Sequence, residues 1–405
     1  MGAGIIAPVV KPDTILPWVA ALLLAASLFS HTVALRLWLL AAGIVLAAII
    51  VVRRRNEIRA LPPIWLPFAL WALWAGLSIA WSFEPGRSVK EFRNEVFYTG
   101  AALWICYVGA QARDAARVLA GVVACAALAA CAISIGQFFG GLPRYPASLY
   151  SGPGNHSSAL IVLMPCALMV AWYATRVRRQ SWAGSAALTL AAVFFASAYT
   201  TLNRTIWLAF AVQFVLLSAL LMRRGASRSI RMPIVLGVAA LGACAVMLLS
   251  IQVERQAAGN ATAIENDARL ALWPEVMERV GERPLTGYGF GRGLLRRALQ
   301  EELGDVDKYL WHAHNLFLEA LVQTGVPGLL LLVLLLGATL REAWRLSCDP
   351  DDWTAACGVA LLAVVAGMLV RNMTDTLLVR QNALLYWGIV GALLGLGGSR
   401  WRASS

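Results

Sequence analysis

Charge is scarce in this sequence. Asp, Glu, Lys and Arg together make up 14% of its 405 residues, where a soluble domain carries about a quarter. Hydrophobic residues reach 60%. A soluble fold of this size could not keep so much apolar surface from water, so the bilayer is the expected solvent. Histidine occurs only four times. The seven cysteines contain no C-x-x-C: Cys106, Cys125, Cys131, Cys166, Cys244 and Cys357 lie in apolar runs and Cys348 in a short basic loop. Neither a disulfide framework nor a cysteine zinc site is indicated. Lys11, Asp13 and Thr14 precede the first apolar run, and no small-residue cleavage site follows it. That run reads as a retained helix and not as a signal peptide. The sequence also lacks repeats and low-complexity linkers.

What it has instead is long apolar runs. A spanning helix needs about 20 predominantly apolar residues. Twelve segments qualify, near 15–31, 35–52, 64–82, 96–111, 118–139, 157–174, 182–200, 205–222, 233–251, 326–340, 353–370 and 383–398. The expectation is an all-α membrane protein of about twelve transmembrane helices. The formal charge of +12 is carried almost entirely by Arg, and its placement matters more than its total. Arg53-Arg54-Arg55 with Arg59, Arg113 with Arg117, Arg176 with Arg178 and Arg179, Arg223-Arg224 with Arg228 and Arg231, Arg341 with Arg345, and Arg400 with Arg402 fall in alternate connections. The positive-inside rule assigns these, and both termini, to the cytoplasm. No nucleic-acid partner is expected.

The opposite connections, near 32–34, 83–95, 140–156, 201–204, 252–325 and 371–382, then face the periplasm of a bacterial inner membrane. All four histidines, His31, His156, His312 and His314, fall on that side. The chain divides into helices 1–9 over residues 1–251, a large periplasmic helical insertion over 252–325, and helices 10–12 over 326–405. In the insertion, Leu270, Trp273, Met277 and Val280 recur at helical spacing. They form an apolar stripe that could lie against the membrane, with Asp267 as a candidate N-cap. Arg283-Pro284-Leu285-Thr286-Gly287-Tyr288-Gly289-Phe290-Gly291 reads as a tight glycine-rich turn. It is no dinucleotide fingerprint, because no strand precedes it. A second amphipathic helix is expected near 292–303.

The run Trp311-His312-Ala313-His314-Asn315-Leu316-Phe317-Leu318-Glu319 closes the insertion. Two histidines at i and i+2 suit zinc, but no further ligands accompany them in an HExxH or cysteine pattern. A neutral imidazole can instead accept a proton from a sugar hydroxyl, with Asn315 or Glu319 orienting it. Spacing alone favours a duller role in helix capping. The basic residues on this side tip the balance, since the positive-inside rule predicts few of them. They are Arg204 in a short interhelix connection, Arg269 in the insertion, Arg87, Lys90 and Arg93 in 83–95, and Arg371 and Arg380. Arg holds phosphate through bidentate bonds, and a pyrophosphate at the membrane surface would account for several at once. Lipid headgroups, or pairing with Glu84, Glu91, Glu95 and Asp375, are the other account, equally good for Lys90 and Arg93. Asp375 stands at the membrane edge, where carboxylates are functional candidates; a structural salt bridge serves as well. Pro153-Gly154-Asn155-His156-Ser157-Ser158 forms either a wall of the substrate cleft or a helix cap.

Taken together, the His312–Glu319 run followed by Gly325-Val326-Pro327-Gly328 resembles the signature of the O-antigen ligase and polymerase superfamily. Trp81-Ser82 with Pro85, Gly152-Pro153-Gly154-Asn155-His156, and Arg283 to Gly289 are similar to it too. The resemblance extends from about Trp81 to Asp375. It implies a fold similar to membrane glycosyltransferases of the GT-C type. The implied reaction transfers a glycan from undecaprenyl pyrophosphate in the periplasm, without metal or other cofactor. For the ligases the acceptor is lipid A–core oligosaccharide, in lipopolysaccharide biosynthesis. The histidine abutting Asn matches His314, which makes it the implied catalytic residue over His312. Arg204 and Arg269 match the family's arginines, and Asp375 its late acidic residue. His312, Asn315, Asp375, Arg87, Lys90 and Asn155 are expected to bind substrate alongside the two arginines. The stretch Leu202-Asn203-Arg204-Thr205 departs from relatives that carry Ser or Gly beside the arginine, which bears on the acceptor. A polymerase or a protein O-oligosaccharyltransferase of the same superfamily is the nearest rival, and a transporter the rival from another class. No paired broken helices recur in the two halves to favour transport.

Overall fold

The computed structural model describes residues 12–140, 152–223, 241–250, 268–294, 312–376 and 378–398. Among these the regular secondary structure is helical, joined by turns and short irregular connections. The helices are α1 (Pro12–Ala26), α2 (Val33–Arg53), α3 (Trp65–Leu77, continued by a 3-10 turn to Trp81), α4 (Pro85–Phe92) and α5 (Tyr98–Gly109). They continue with α6 (Ala115–Phe139), α7 (Pro153–Trp172), α8 (Ser181–Tyr199), α9 (Arg204–Arg223), α10 (Leu241–Ser250) and α11 (Ala268–Glu282). The last are α12 (Leu316–Ser347), α13 (Asp352–Asn372) and α14 (Arg380–Gly398). Seven described helices are long and apolar enough to cross a membrane: α2, α6, α7, α8, α9, α12 and α13. Three further apolar helices, α1, α3 and α10, are shorter.

Apolar side chains face outward along these helices, as lipid solvation requires. Trp38, Val52, Leu73 and Leu330 are all exposed. With lipid outside, burial inside depends on close packing and on polar contacts between helices. Both occur. α14 lies along α5, and Gly391 and Gly395 face the carbonyls of Leu103 and Tyr107 so closely that any Cβ there would collide with them. Gln213 of α9 is fully buried and donates to the carbonyl oxygens of Ile161 in α7 (2.8 Å) and Ala363 in α13 (3.0 Å). Two amide N–H bonds thus tie three helices together where no water competes.

α12 differs from its expected span. It begins at Leu316 and runs through Gly325, whose φ of 67° and ψ of −174° break the helix in its course. Asn315 caps it, its Oδ1 accepting from the backbone N–H of Phe317 (2.9 Å) and Leu318 (3.2 Å). The cap and the Gly-Val-Pro-Gly break explain the longer helix: a first segment carrying Glu319, Gln323 and Thr324 is capped ahead of the expected apolar run, and the break joins the two.

The insertion keeps part of the expected stripe: Val280 is buried, and the half-buried Trp273 donates its indole N–H to the Ala313 carbonyl (3.0 Å). On α11 the buried residues are Leu272, Val276 and Val280, which meet Tyr288, Ala313 and Val322, whereas Met277 is exposed. The face is selected by the apolar partners that its own loop and α12 supply. The side chains of Leu270 and Arg269, the cap candidate Asp267, and residues 295–311 with most of the second amphipathic helix lie outside the described residues.

Candidate functional site

The glycine-rich turn after α11 is threaded between α3 and α12. Backbone N–H groups of Tyr288 and Gly289 donate to the carbonyls of Val322 (2.9 Å) and Gln323 (2.9 Å). Phe290 N–H donates to Ser78 Oγ (3.0 Å), and Gly291 N–H to Gln323 Oε1 (3.1 Å). Trp81 and Trp74 close the seam, their indole N–H groups donating to the carbonyls of Thr286 (2.8 Å) and Thr324 (2.9 Å). Gly289 has φ 104°, and a Cβ there would run into Ser82. Glycine is required at that position both for conformation and for space.

This threading delivers Arg292 to the start of α12. Its Nη2 lies 2.9 Å from His312 Nε2. The His314 backbone N–H donates to His312 Nδ1 at 3.1 Å, and the two imidazoles lie with ring centroids 3.8 Å apart. Both contacts ask His312 to accept a hydrogen bond. A neutral imidazole has one nitrogen lone pair for this, so only one contact is a true hydrogen bond at any instant.

His314 is placed differently. Its Nδ1 lies 3.5 Å from Asp375 Oδ1, and Arg371 Nη2 lies 3.5 Å from the other carboxylate oxygen. The Thr376 N–H donates to Oδ1 at 2.8 Å. Burial opposes ionisation of Asp375, but the His314 imidazole beside it and the Arg371 charge overcome this and hold the carboxyl well below its ordinary range. Asn315 Nδ2 donates to the Met373 carbonyl (3.0 Å), which docks the start of α12 onto the turn that carries Asp375. Glu319 does not orient an imidazole. Its Oε2 accepts from the Ala313 N–H (2.7 Å) and its Oε1 from Gln323 Nε2 (2.7 Å), so it fixes the backbone between the two histidines.

Below the histidines lies a cleft of about 60 Å³ lined by Glu95, Arg292, Glu319, Gln323 and aromatic side chains including Trp71 and Trp387. It has room for a few waters but not for a sugar. Burial pushes the Glu95 carboxyl well up, and neighbouring Glu91 adds to the shift. Arg292 is the cation that faces Glu319, Glu95 and Asp375 together.

The other expected residues are spread along this end of the bundle. Asn155, at the start of α7, accepts from Asn382 Nδ2 at the start of α14 (2.9 Å). Arg204 opens α9, where Asn203 Oδ1 accepts from the Thr205 N–H (3.0 Å) and Asn203 Nδ2 reaches Ser157 Oγ (3.5 Å). Arg204 is partly exposed and is not among the described residues lining the cleft. Arg269 stands in the first turn of α11. Arg87 pairs with Glu84 at 3.5 Å on α4, and Lys90 is exposed on the same helix. The structure thus gathers His312, His314, Asn315 and Asp375 tightly. It adds Arg292 and Arg371, of which Arg292 was not singled out from sequence.

Ligand atoms of His312, His314 and Asp375 lie within 4.8 Å of one another, near enough to share a metal ion. The surrounding charges argue against that use. One guanidinium sits against His312 Nε2 and another against Asp375, and both would repel a dication.

No curated protein matches the chain. Residues 189–333 match the family model described as O-antigen ligase. The match takes in Arg204, Arg269, Arg292, both histidines of the pair, Asn315 and Glu319, and the motif resemblance had pointed to the same superfamily. Over residues 189–333, therefore, the chain is similar to the O-antigen ligase family.

Proposed function

We propose that the protein is an O-antigen ligase of about twelve transmembrane helices and GT-C-like architecture, working at the periplasmic face of the inner membrane. The donor is a glycan on undecaprenyl pyrophosphate, and the acceptor is a hydroxyl of lipid A–core oligosaccharide. One observation carries the reading: an imidazole, His314, beside a half-buried carboxylate, Asp375, that is itself anchored by Arg371. With Nδ1 turned to Asp375, Nε2 is the nitrogen that takes the acceptor's proton. The carboxylate holds the ring in place and offsets the positive charge that develops on it.

The acceptor oxygen then bonds to the anomeric carbon from the face opposite the leaving group. The bond from that carbon to the pyrophosphate oxygen breaks, and undecaprenyl pyrophosphate departs with the electron pair. A single displacement inverts the anomeric configuration and needs no covalent intermediate with a second carboxylate. Arg204 and Arg269 hold the pyrophosphate and stabilise its growing charge. Asn155, Arg87 and Lys90 contribute to the wall around the substrates. No metal takes part, in keeping with the two guanidinium groups beside the only candidate ligands among the described residues.

The test is transfer in vitro with purified protein, undecaprenyl-linked glycan and core lipopolysaccharide. The expected product is ligated lipopolysaccharide, formed equally with and without chelator. Extension of the lipid-linked glycan instead, with core lipopolysaccharide left unmodified, would identify a polymerase. Loss of activity on chelation, restored by zinc, would return the His312–His314–Asp375 group to a ligand role.

A further inference from the structure

The other end of the bundle holds a much larger opening, about 910 Å³ in volume. It lies where α6, α8 and α13 begin and α7 ends. Three guanidinium groups line it, those of Arg113, Arg117 and Arg178, and all three are exposed. None of them forms an ion pair among the described residues, although Asp114 and Asp351 line the same space. Asp351 is engaged elsewhere, its carboxylate accepting from the Thr354 N–H at 2.8 Å as the cap of α13. Tyr173 and Trp353 form one wall, packed edge to face with ring centroids 4.8 Å apart. Most of the remaining lining is alanine.

Three guanidinium groups against the two carboxylates leave the hollow with an excess of positive charge, which favours entry of an anion. The planar arginine fork bonds two oxygens of one phosphate at once, which a monatomic halide cannot match. The Tyr–Trp pair is of the type that settles at headgroup depth, and the alanine wall leads from the charges toward the apolar surface of the bundle. Basic pockets between spanning helices are where anionic lipid headgroups dock, and the volume suits a ligand of that size. We infer that this opening binds the phosphate headgroup of an anionic phospholipid, its acyl chains entering along the alanine-lined side. The site is separate from the histidine cluster and independent of the reaction proposed there.

The experiment uses the full chain in neutral detergent, titrated with phosphatidylglycerol, phosphatidylcholine or inorganic phosphate, with bound molecules counted by native mass spectrometry. Phosphatidylglycerol should bind at least tenfold more tightly than phosphatidylcholine. The R113Q/R117Q/R178Q variant should lose that preference. The R53Q/R55Q variant, which removes exposed arginines from the same end but outside the opening, should keep it. Should the triple variant fold poorly, R117Q alone should weaken phosphatidylglycerol binding about fivefold. Equal binding of the two lipids by the unaltered protein overturns the proposal. So does an equal loss in the R53Q/R55Q variant, which would mean diffuse attraction. Tighter binding of inorganic phosphate than of phosphatidylglycerol would overturn the lipid as the source of the phosphate.

Discussion

His314 adopts a backbone conformation that side chains seldom take, with φ 50°. Such a residue costs of order 1 kcal/mol or more and persists where its surroundings enforce it. Here the Glu319 carboxylate on the preceding N–H and the Asn315 cap on the following turn do so. Replacing His314 with glycine therefore separates chemistry from folding. H314G should melt no lower than the unaltered protein, because glycine accepts positive φ freely. Transfer should fall by about 10²–10⁴-fold, the usual worth of a general base. A melting point unchanged together with unchanged transfer would remove His314 from the mechanism. Asp375 gives a second expectation. Its folded carboxyl titrates below its unfolded value of about 3.9, so its ion cluster contributes stability above that pH and loses it as the pH falls toward the lower folded value. D375N should flatten the acid limb of a stability–pH profile, and an unaltered limb would show that the carboxylate is not so held.

His314 and Asp375 can be singled out in the sequence because His314 ends the long polar insertion just before an apolar run and Asp375 sits in a short polar connection after one. Arg292 is not legible in this way. It follows the glycine turn in a segment that also holds Arg279, Arg283, Arg296 and Arg297, and nothing in the residue order says which one is drawn inward. Only the threading of the turn past Ser78 and Gln323 brings it to His312.

At the scale of elements, the glycine loop and the capped start of α12 set the site. G289A should be strongly destabilising, since an added methyl meets Ser82 and φ is 104°; overpacking and backbone terms of about 1–3 kcal/mol each are expected. G86A, in a helix with nothing within 4 Å of the added atom, is the matched control and should be neutral or slightly stabilising. Thermal melts of the two variants decide it, and equal melting points would refute the packing argument. Helix positions were largely legible from apolar periodicity, since every expected run for which residues are described overlaps a helix. The buried face of α11 was legible only in part, through Val280 and Trp273 but not Met277. An amphipathic stripe can be turned by one residue at little cost, and Tyr288, Ala313 and Val322 choose the phase from across the fold.

For the whole molecule, the basic connections and the histidine cluster occupy opposite ends of the bundle. Orientation then decides on which side of the membrane the reaction runs. Reporter fusions active only outside the cytoplasm should be active after Asn203 or Thr376 and silent after Arg113 or Ser347; the reverse pattern would invert the proposed topology. The location of the cluster has a further meaning for modularity. The histidines lie within the family-matched segment, while their carboxylate comes from the turn after α13 and its arginine from the last turn of α13, both beyond residue 333. A chimera spliced near that boundary from two relatives would pair one parent's imidazole with the other's counter-ion. The segment is thus no transplantable cassette, and activity in such hybrids should follow compatibility across the splice more than the origin of either half.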